Sequence, residues 1–128
     1  MEYVRSFRDL EVYKLSRQLS KDIFAISKRF PKEEMYSLTD QVRRSSRSVG
    51  AQIAEAWAKR RYEKHFVSKL TDADGEQQET QHWIETALDC SYLSDEESKA
   101  LLQEYETLGK MIGAMISKAA TFCKNHYS

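Results

Sequence analysis

Residues 41–61, "QVRRSSRSVGAQIAEAWAKRR", combine an apolar helical stripe with a high density of positive charge. The stripe recurs at helical intervals through Val42, Val49, Ile53 and Trp57. Such spacing indicates a helix with one buried face. Ser45 and Ser46 interrupt the stripe with small side chains, so we expect a neighbouring helix to approach closely there. The flanking cations belong either to solvated helix ends or to a surface that binds an anion.

The composition favours an all-α protein. The 128 residues include only four glycines and one proline, whereas a chain of many strands and turns needs more of both. The strong helix formers Leu, Ala, Glu, Lys, Gln and Arg are common. With 41% hydrophobic and 31% charged residues, we expect one folded domain over residues 1–128.

Apolar residues recur three or four positions apart in four segments of the chain. We predict helices over about residues 9–30, 37–60, 62–91 and 95–124. Because the loops between them are short, sequential helices should be antiparallel neighbours. The predicted fold is therefore an up-down-up-down antiparallel four-helix bundle.

Three residues are candidate N-caps of these helices. Asp9 precedes the first helix, Ser37 begins the second, and Ser94 lies three residues before Glu97, as in a capping box. Inside the third helix, Gly75 costs about 1 kcal/mol relative to alanine. We therefore expect either a close approach of another backbone at Gly75 or a slight kink of the helix there.

Two features of the sequence indicate self-association. Residues 1–70 contain 16 Lys or Arg against 9 Asp or Glu, and residues 71–128 contain 4 against 11. Charge pairing between helices of one bundle also explains this asymmetry and is the favoured explanation. Single exposed apolar residues are normal, but several side chains lie off the stripes and predict a subunit interface: Tyr13, Phe24, Trp83, Leu102, Met111 and Ile116.

No motif for catalysis or metal binding is complete. A di-iron bundle needs two Glu-x-x-His motifs, and the chain has one such spacing, Glu79 and His82. It contains no C-x-x-C, no glycine-rich phosphate loop and no G-x-S-x-G. We therefore expect a protein that is not an enzyme and uses no metal, cofactor or small-molecule substrate.

The two cysteines and the hydropathy pattern predict a cytoplasmic protein with no membrane partner. Cys90 and Cys123 are too few for a disulfide framework and resemble small hydrophobic residues in helices. The N-terminus lacks the apolar run of a signal peptide, and no window reaches the roughly 18 apolar residues of a membrane span.

The basic residues of the second helix fall into two patches, near its two ends. A rise of 1.5 Å per residue separates the patches by roughly 20 Å. Phosphate contacts by these side chains would bind RNA or DNA. The alternative is a protein-interaction or scaffold module that binds no nucleic acid. The candidate nucleic-acid-binding residues are Arg43, Arg44, Arg47, Lys59, Arg60, Arg61 and Lys64.

Two glutamates are candidates for polar packing between helices. Glu55 points away from the apolar stripe of the second helix, and Glu79 lies among polar residues of the third. A partly buried carboxylate needs a donor or a cation, and Arg44, Gln52 or Lys59 could provide one for Glu55. The alternative is that both glutamates reach solvent.

The stretch "FPKEEMYSLTDQVRRSSRSVGAQIAEAW", residues 30–57, resembles the 23S ribosomal RNA intervening-sequence protein family, also called four helix bundle proteins. Phe7 and Leu10 match the family's opening pattern, and Ala73, Gly75 and Glu79 match its third helix. The central matches include Phe30, Pro31, Glu33, Glu34, Tyr36, Leu38, Thr39, Gln41, Val42, Arg43, Arg44, Ser48, Ile53, Ala54 and Glu55.

The resemblance implies a homopentamer of four-helix bundles, encoded in inserts of bacterial 23S ribosomal RNA genes or elsewhere in the genome. Related accessory proteins of diversity-generating retroelements bind nucleic acid, but they are strongly basic and this chain is neutral. Three residues depart from the family pattern. Gln52 replaces an asparagine, Ala56 a glycine and Glu76 a serine, so a tight contact between helices is expected to be altered here.

Overall fold

The computed structural model describes residues 4–127, with the side chains of residues 4–123. This part of the chain is helical and contains no strand, so the all-α prediction is confirmed. A 3-10 turn at Phe7–Asp9 precedes the first helix, and a 3-10 turn at Lys32–Glu34 followed by a π turn at Met35–Thr39 precedes the second. The helices are α1 (Glu11–Ser27), α2 (Asp40–Ala58), α3 (Glu63–Asp89), α4 (Asp95–Ser117) and α5 (Ala119–Tyr127).

The start of α1 differs from the predicted cap at Asp9. The Ser6 hydroxyl accepts a hydrogen bond from the Arg8 backbone N–H at 3.2 Å, and the Asp9 carboxylate accepts one from the Ser6 backbone N–H at 3.2 Å. This reciprocal pair caps the 3-10 turn, and α1 begins two residues after Asp9. Asp9 therefore completes a capping box instead of acting as the N-cap.

Ser37 does not begin α2. It lies within the π turn, and its hydroxyl donates to the Glu34 carboxylate at 2.7 Å. The backbone is already helical when it reaches Asp40, so no side-chain cap is required. The sequence pattern of a cap could not reveal that helical turns precede it.

The second half of the chain follows the predicted boundaries more closely. Ser94 caps α4 in a complete capping box with Glu97, which confirms that prediction. The segment expected as one helix over residues 95–124 is instead divided at Lys118, between α4 and α5. The Lys118 N–H is shared between the carbonyls of Ala114 and Met115, and its backbone (φ −102°, ψ 19°) leaves the helical range.

The core lies between α1, α2, α3 and α4, and α2 contacts both α1 and α3. Between α2 and α3, Ser45 pairs with Thr80, and Glu55 pairs with Lys69 further along α2. The partners follow opposite orders along the two helices, so α2 and α3 are antiparallel. The largest fully buried side chains are Tyr105, Phe66, Leu19, Ile23, Ile53, Leu70, Ile84, Leu108 and Ile112.

The apolar residues off the predicted stripes are mostly covered by the chain itself. Tyr13, Trp83, Leu102, Met111 and Ile116 are partly buried and pack against the core. Phe24 remains 37% exposed. These side chains therefore leave less free apolar surface than the sequence indicates.

The interior glycines have different surroundings. A Cβ at Gly109 would lie 2.7 Å from Gln77 Nε2, whereas a Cβ at Gly75 or Gly113 would meet no heavy atom within 4 Å. Helix α3 continues through Gly75 without a break. The close approach expected at Gly75 is therefore absent within this chain, and a close approach occurs at Gly109, between α4 and α3.

We predict that Gly109→Ala destabilises the protein by about 1 kcal/mol. The added methyl group displaces the Gln77 amide, which donates to Asp74 at 2.9 Å, and overpacking outweighs the gain in helix propensity. Gly113→Ala is the matched control on the same helix and should stabilise by up to about 1 kcal/mol. Urea unfolding followed by circular dichroism measures both. A Gly109→Ala variant more stable than the wild type would contradict this packing.

An ion pair between Arg29, in the turn after α1, and Glu97 of α4 predicts acid sensitivity. Arg29 Nη2 donates to Glu97 Oε1 at 2.8 Å, and this bond, with the Ser94 backbone N–H, lowers the pKa of Glu97 from 4.5 to about 2. A lowered carboxyl pKa stabilises the fold above the unfolded value, and the stabilisation is lost as pH falls towards the folded value. The affected range is therefore about pH 4.5 to pH 2.

Arg29→Gln should reduce the loss of stability between neutral pH and about pH 3, because Glu97 then keeps only its backbone donor. Urea midpoints at both pH values measure the effect. Lys14→Gln, at an exposed pair 3.9 Å from Glu11, is the control and should retain the acid sensitivity of the wild type. Equal acid loss in the Arg29→Gln variant and the wild type would show that this pair does not contribute.

Candidate nucleic-acid interface

Arg44 faces α3 and lies apart from the other predicted binding residues. Its Nη1 donates to Glu76 Oε2 at 3.2 Å, and its Nη2 donates to Glu79 Oε2. Both hydrogen bonds raise the pKa of the Arg44 guanidinium. With two carboxylates beside it, Arg44 adds little positive potential at the surface.

Arg43 and Arg47 face α1 instead, around the exposed ring of Phe24. Their guanidinium carbons lie 4.6 Å and 5.4 Å from the ring centroid, and Lys28 Nζ lies 4.7 Å from it. Arg43 Nε also donates to the Ser27 hydroxyl at 2.8 Å. These contacts place three cations around one aromatic ring.

The remaining predicted residues lie where α2 meets α3. With the rings of Tyr62 and His65 they form an end patch, which comprises Lys59, Arg60, Arg61, Tyr62, Lys64 and His65. The Tyr62 ring is 59% exposed and lies 5.4 Å, centroid to centroid, from the His65 ring. Lys59, Arg61 and Lys64 are exposed and form no ion pair within residues 4–123. Glu63 is the one acidic residue between positions 59 and 65.

The local backbone explains why this patch projects into solvent. Helix α2 ends at Ala58, and α3 begins at Glu63 after an extended Tyr62 (φ −122°, ψ 111°). The last carbonyls of α2 form the negative end of its dipole and favour cations at this position. Arg60 is held on the protein, with its guanidinium 3.4 Å from the Trp57 ring centroid and Nε donating to the Trp57 carbonyl at 2.8 Å.

The candidate polar-packing residues have separate partners. Glu79 accepts hydrogen bonds from the Trp83 indole N–H at 3.0 Å and from Arg44, and these bonds lower the pKa of the carboxyl. Glu55 lies 3.8 Å from Lys69 Nζ. None of Arg44, Gln52 and Lys59 is its observed partner. Gln52 Oε1 is buried and accepts no hydrogen bond within the described residues.

Sequence reasoning missed the cations of α1. Arg17 and Lys21 line a groove of about 420 Å³ between α1 and α2, together with Arg47. In the sequence, the first helix was predicted from its apolar stripe, and its charged residues were not considered. Arg17 and Lys21 lie close to α2 only because the two helices pack together. A sequence pattern on one helix does not reveal which charges on another helix lie beside it.

Neither a metal centre nor a membrane span is evident in the described residues. No group of three or more His, Cys, Asp or Glu side chains there could hold a metal ion. No helix in the same range is long and apolar enough to cross a bilayer.

Comparisons with known proteins establish the family of the chain. The family model for the 23S rRNA-intervening sequence protein matches residues 8–114. The chain belongs to this family. A search of curated proteins gives no match.

A solved structure also resembles this member of the 23S rRNA-intervening sequence protein family. It is a protein with unknown function from the S23 ribosomal protein family of Bacteroides thetaiotaomicron, with 25% sequence identity and a TM-score of 0.76. The match covers 83% of this chain and 95% of that one. The all-helical architecture is therefore shared over most of both proteins.

The departures from the family pattern have specific positions in this member. Ala56, which replaces the pattern's glycine, is fully buried, so the core accommodates its methyl group. Gln52 borders the groove between α2 and α3, and Glu76 binds Arg44 beside the same groove. Two of the three departures therefore change the polar surface of α2 and α3.

Arg44→Gln is expected to destabilise the protein by about 1 kcal/mol, because exposed ion pairs each contribute a few tenths to 1 kcal/mol. Arg44→Lys should lose part of this stability, since an ammonium group cannot form the same two-pronged contact. Arg61→Gln is the matched control without an ion pair and should leave stability unchanged within about 0.5 kcal/mol. Urea unfolding of the three variants tests the assignment, which would be wrong if Arg44→Gln behaved like Arg61→Gln.

Proposed function

We propose that this protein is a non-enzymatic, homo-oligomeric helical bundle of the bacterial cytoplasm that binds RNA or other nucleic acid through the end patch. The observation that carries the proposal is an exposed aromatic ring, Tyr62, with the exposed cations Lys59, Arg61 and Lys64 close to it in sequence, which have no ion pair within residues 4–123. Cations bind phosphates, and an exposed ring can stack on an unpaired base.

The register of the contacts supports an up-down-up-down bundle. Between α1 and α2, Ser27 pairs with Arg43 and Ser16 lies beside Gly50, again in opposite order. The side chain of Gln77 in α3 lies beside Gly109 in α4, and Phe66 contacts Phe122 in α5. Helices α1 and α2, α2 and α3, and α3 and the α4–α5 segment are therefore antiparallel in our assignment.

The homopentamer implied by the family resemblance would compensate for the neutral charge of the chain. One end patch presents only a few unpaired cations, which is few for a stable complex with nucleic acid. Cyclic symmetry repeats any surface in every subunit. Five identical patches on one rim would create a continuous positive surface.

The seven candidate residues then have unequal roles. The end patch provides the main phosphate contacts through Lys59, Arg60, Arg61 and Lys64. Arg43 and Arg47, beside Phe24, form a second basic surface. Arg44 contributes little to binding because Glu76 and Glu79 already pair with its guanidinium.

A protein-interaction module is the second candidate, and a separate observation favours it. Tyr36 is 93% exposed and its neighbour Met35 is 43% exposed, in the π turn before α2. Exposed aromatic residues and methionine are enriched in protein interfaces. If this turn docks a partner chain, Tyr36→Ala should abolish that contact without changing nucleic-acid binding.

The nucleic-acid proposal predicts that Arg61→Glu combined with Lys64→Glu weakens RNA binding at least tenfold. Affinity for a fluorescent single-stranded RNA should fall steeply with added salt. In a plot of log affinity against log salt concentration, the slope should become less steep by about 0.7 for each phosphate contact removed. Tyr62→Ala should lower the affinity for single strands by about 1–3 kcal/mol and affect a perfect duplex less. Fluorescence anisotropy across a salt series measures these effects.

Lys32→Glu combined with Lys99→Glu is the matched control, because it changes the net charge by the same amount at exposed positions outside the end patch, and it should retain the RNA affinity of the wild type. A wild-type protein that binds neither single-stranded RNA nor a hairpin at low salt would remove the proposal. Equal weakening by this control and by the end-patch variant would show that net charge, and not the end patch, controls binding.

A further inference from the structure

Two grooves of opposite charge lie on different faces of the molecule. The acidic groove, about 370 Å³ in volume, is lined by Gln52 of α2 and by Thr71, Asp72, Gly75, Glu76 and Glu79 of α3. The basic groove between α1 and α2, about 420 Å³, carries Arg17, Lys21 and Arg47 and has no acidic lining residue. Opposite charges on two surfaces of one chain are complementary between copies.

The acidic groove contains polar groups that the chain itself does not satisfy. Gln52 Oε1 is buried without a hydrogen-bond donor within the described residues, and a buried acceptor left unpaired is destabilising. Asp72 is exposed and forms no ion pair among residues 4–123. A positively charged donor brought from outside the chain would pair with Asp72.

The floor of the acidic groove is also open to close approach. Gly75 lies in the interior of α3, where glycine costs about 1 kcal/mol relative to alanine, yet a Cβ there would touch nothing within 4 Å. No contact within the described chain therefore requires glycine at this position. The absence of a side chain lets another surface come near the α3 backbone.

The basic groove has matching properties. Its floor consists of small side chains, among them Ser46, Ala51 and Ala54. Arg17 and Lys21 are exposed on α1, and Arg17 is oriented by a hydrogen bond of 3.0 Å to the Tyr13 hydroxyl. The groove therefore offers hydrogen-bond donors beside a surface of small side chains.

We propose that these grooves form one interface, in which the basic groove of one copy docks on the acidic groove of the next. The proposal rests on the homo-oligomer of the proposed function and identifies its contacting faces. In this arrangement Arg17 or Lys21 pairs with Asp72 of the neighbouring copy. Because the two faces differ, a pair of copies keeps one free basic groove and one free acidic groove for further copies, so copies add head to tail.

The test uses two variants, each of which blocks one face. Gly75→Trp fills the acidic groove from a position with open space around it, and Arg17→Glu with Lys21→Glu reverses the charge of the basic groove. Gly113→Trp, also at an open position, and Lys99→Glu with Lys118→Glu, also exposed, are the matched controls. Circular dichroism confirms that each variant is folded, and size-exclusion chromatography with light scattering gives its mass.

We expect each blocked variant to be a monomer and both controls to keep the wild-type mass. An equimolar mixture of the two blocked variants should form a dimer, because one intact face of each kind remains. If the wild type is an oligomer and both blocked variants keep its mass, the proposed interface is wrong and the proposed assembly is not. A monomeric wild type would overturn the interface together with the proposed assembly. Arg17, Lys21 and Gly75 lie outside the end patch, so the blocked variants change the assembly and leave the residues of that patch intact.

Discussion

The close packing of α2 against α3 is the constraint on which the other features of this protein depend. Ser45 and Thr80 are fully buried, and their hydroxyl oxygens lie 2.8 Å apart. Thr80 also donates to the Glu76 carbonyl at 2.9 Å, so the pair leaves neither hydroxyl unsatisfied. Small hydroxyl side chains at this point allow the helices to approach, and the hydrogen bond between them selects one register.

That register determines what each basic residue of α2 can do. It places Arg44 beside Glu76 and Glu79, where its charge is paired. Arg43 and Arg47 then face α1 and the Phe24 ring, and Lys59 and Arg61 lie beyond the end of the helix. The same packing also creates the groove beside Gly75. A chain with no net charge thereby obtains separate surfaces of opposite sign.

The helical class, the family and the Ser94 cap were predictable from the sequence, because periodic apolar stripes and capping boxes are local signals. The predicted cap at Ser37 was wrong, because the helical turns before it depend on how residues 31–39 pack. The orientation of Arg44 and the cations of α1 depend on which helices are neighbours, and no local pattern carries that information. Gly75 and Gly109 look alike in sequence, and only the packing shows that Gly109 is crowded and Gly75 is open.

A disulfide cross-link between positions 45 and 80 would test the register most directly. Cys90 and Cys123 are first replaced by serine and alanine, and Ser45→Cys is combined with Thr80→Cys. The account predicts complete cross-linking when the variant folds under mildly oxidising conditions, because the two hydroxyl oxygens lie 2.8 Å apart, and no cross-linking when Ser48→Cys replaces Ser45→Cys. Incomplete cross-linking at 45 and 80, or equal cross-linking from 48, would contradict the packing of α2 on α3.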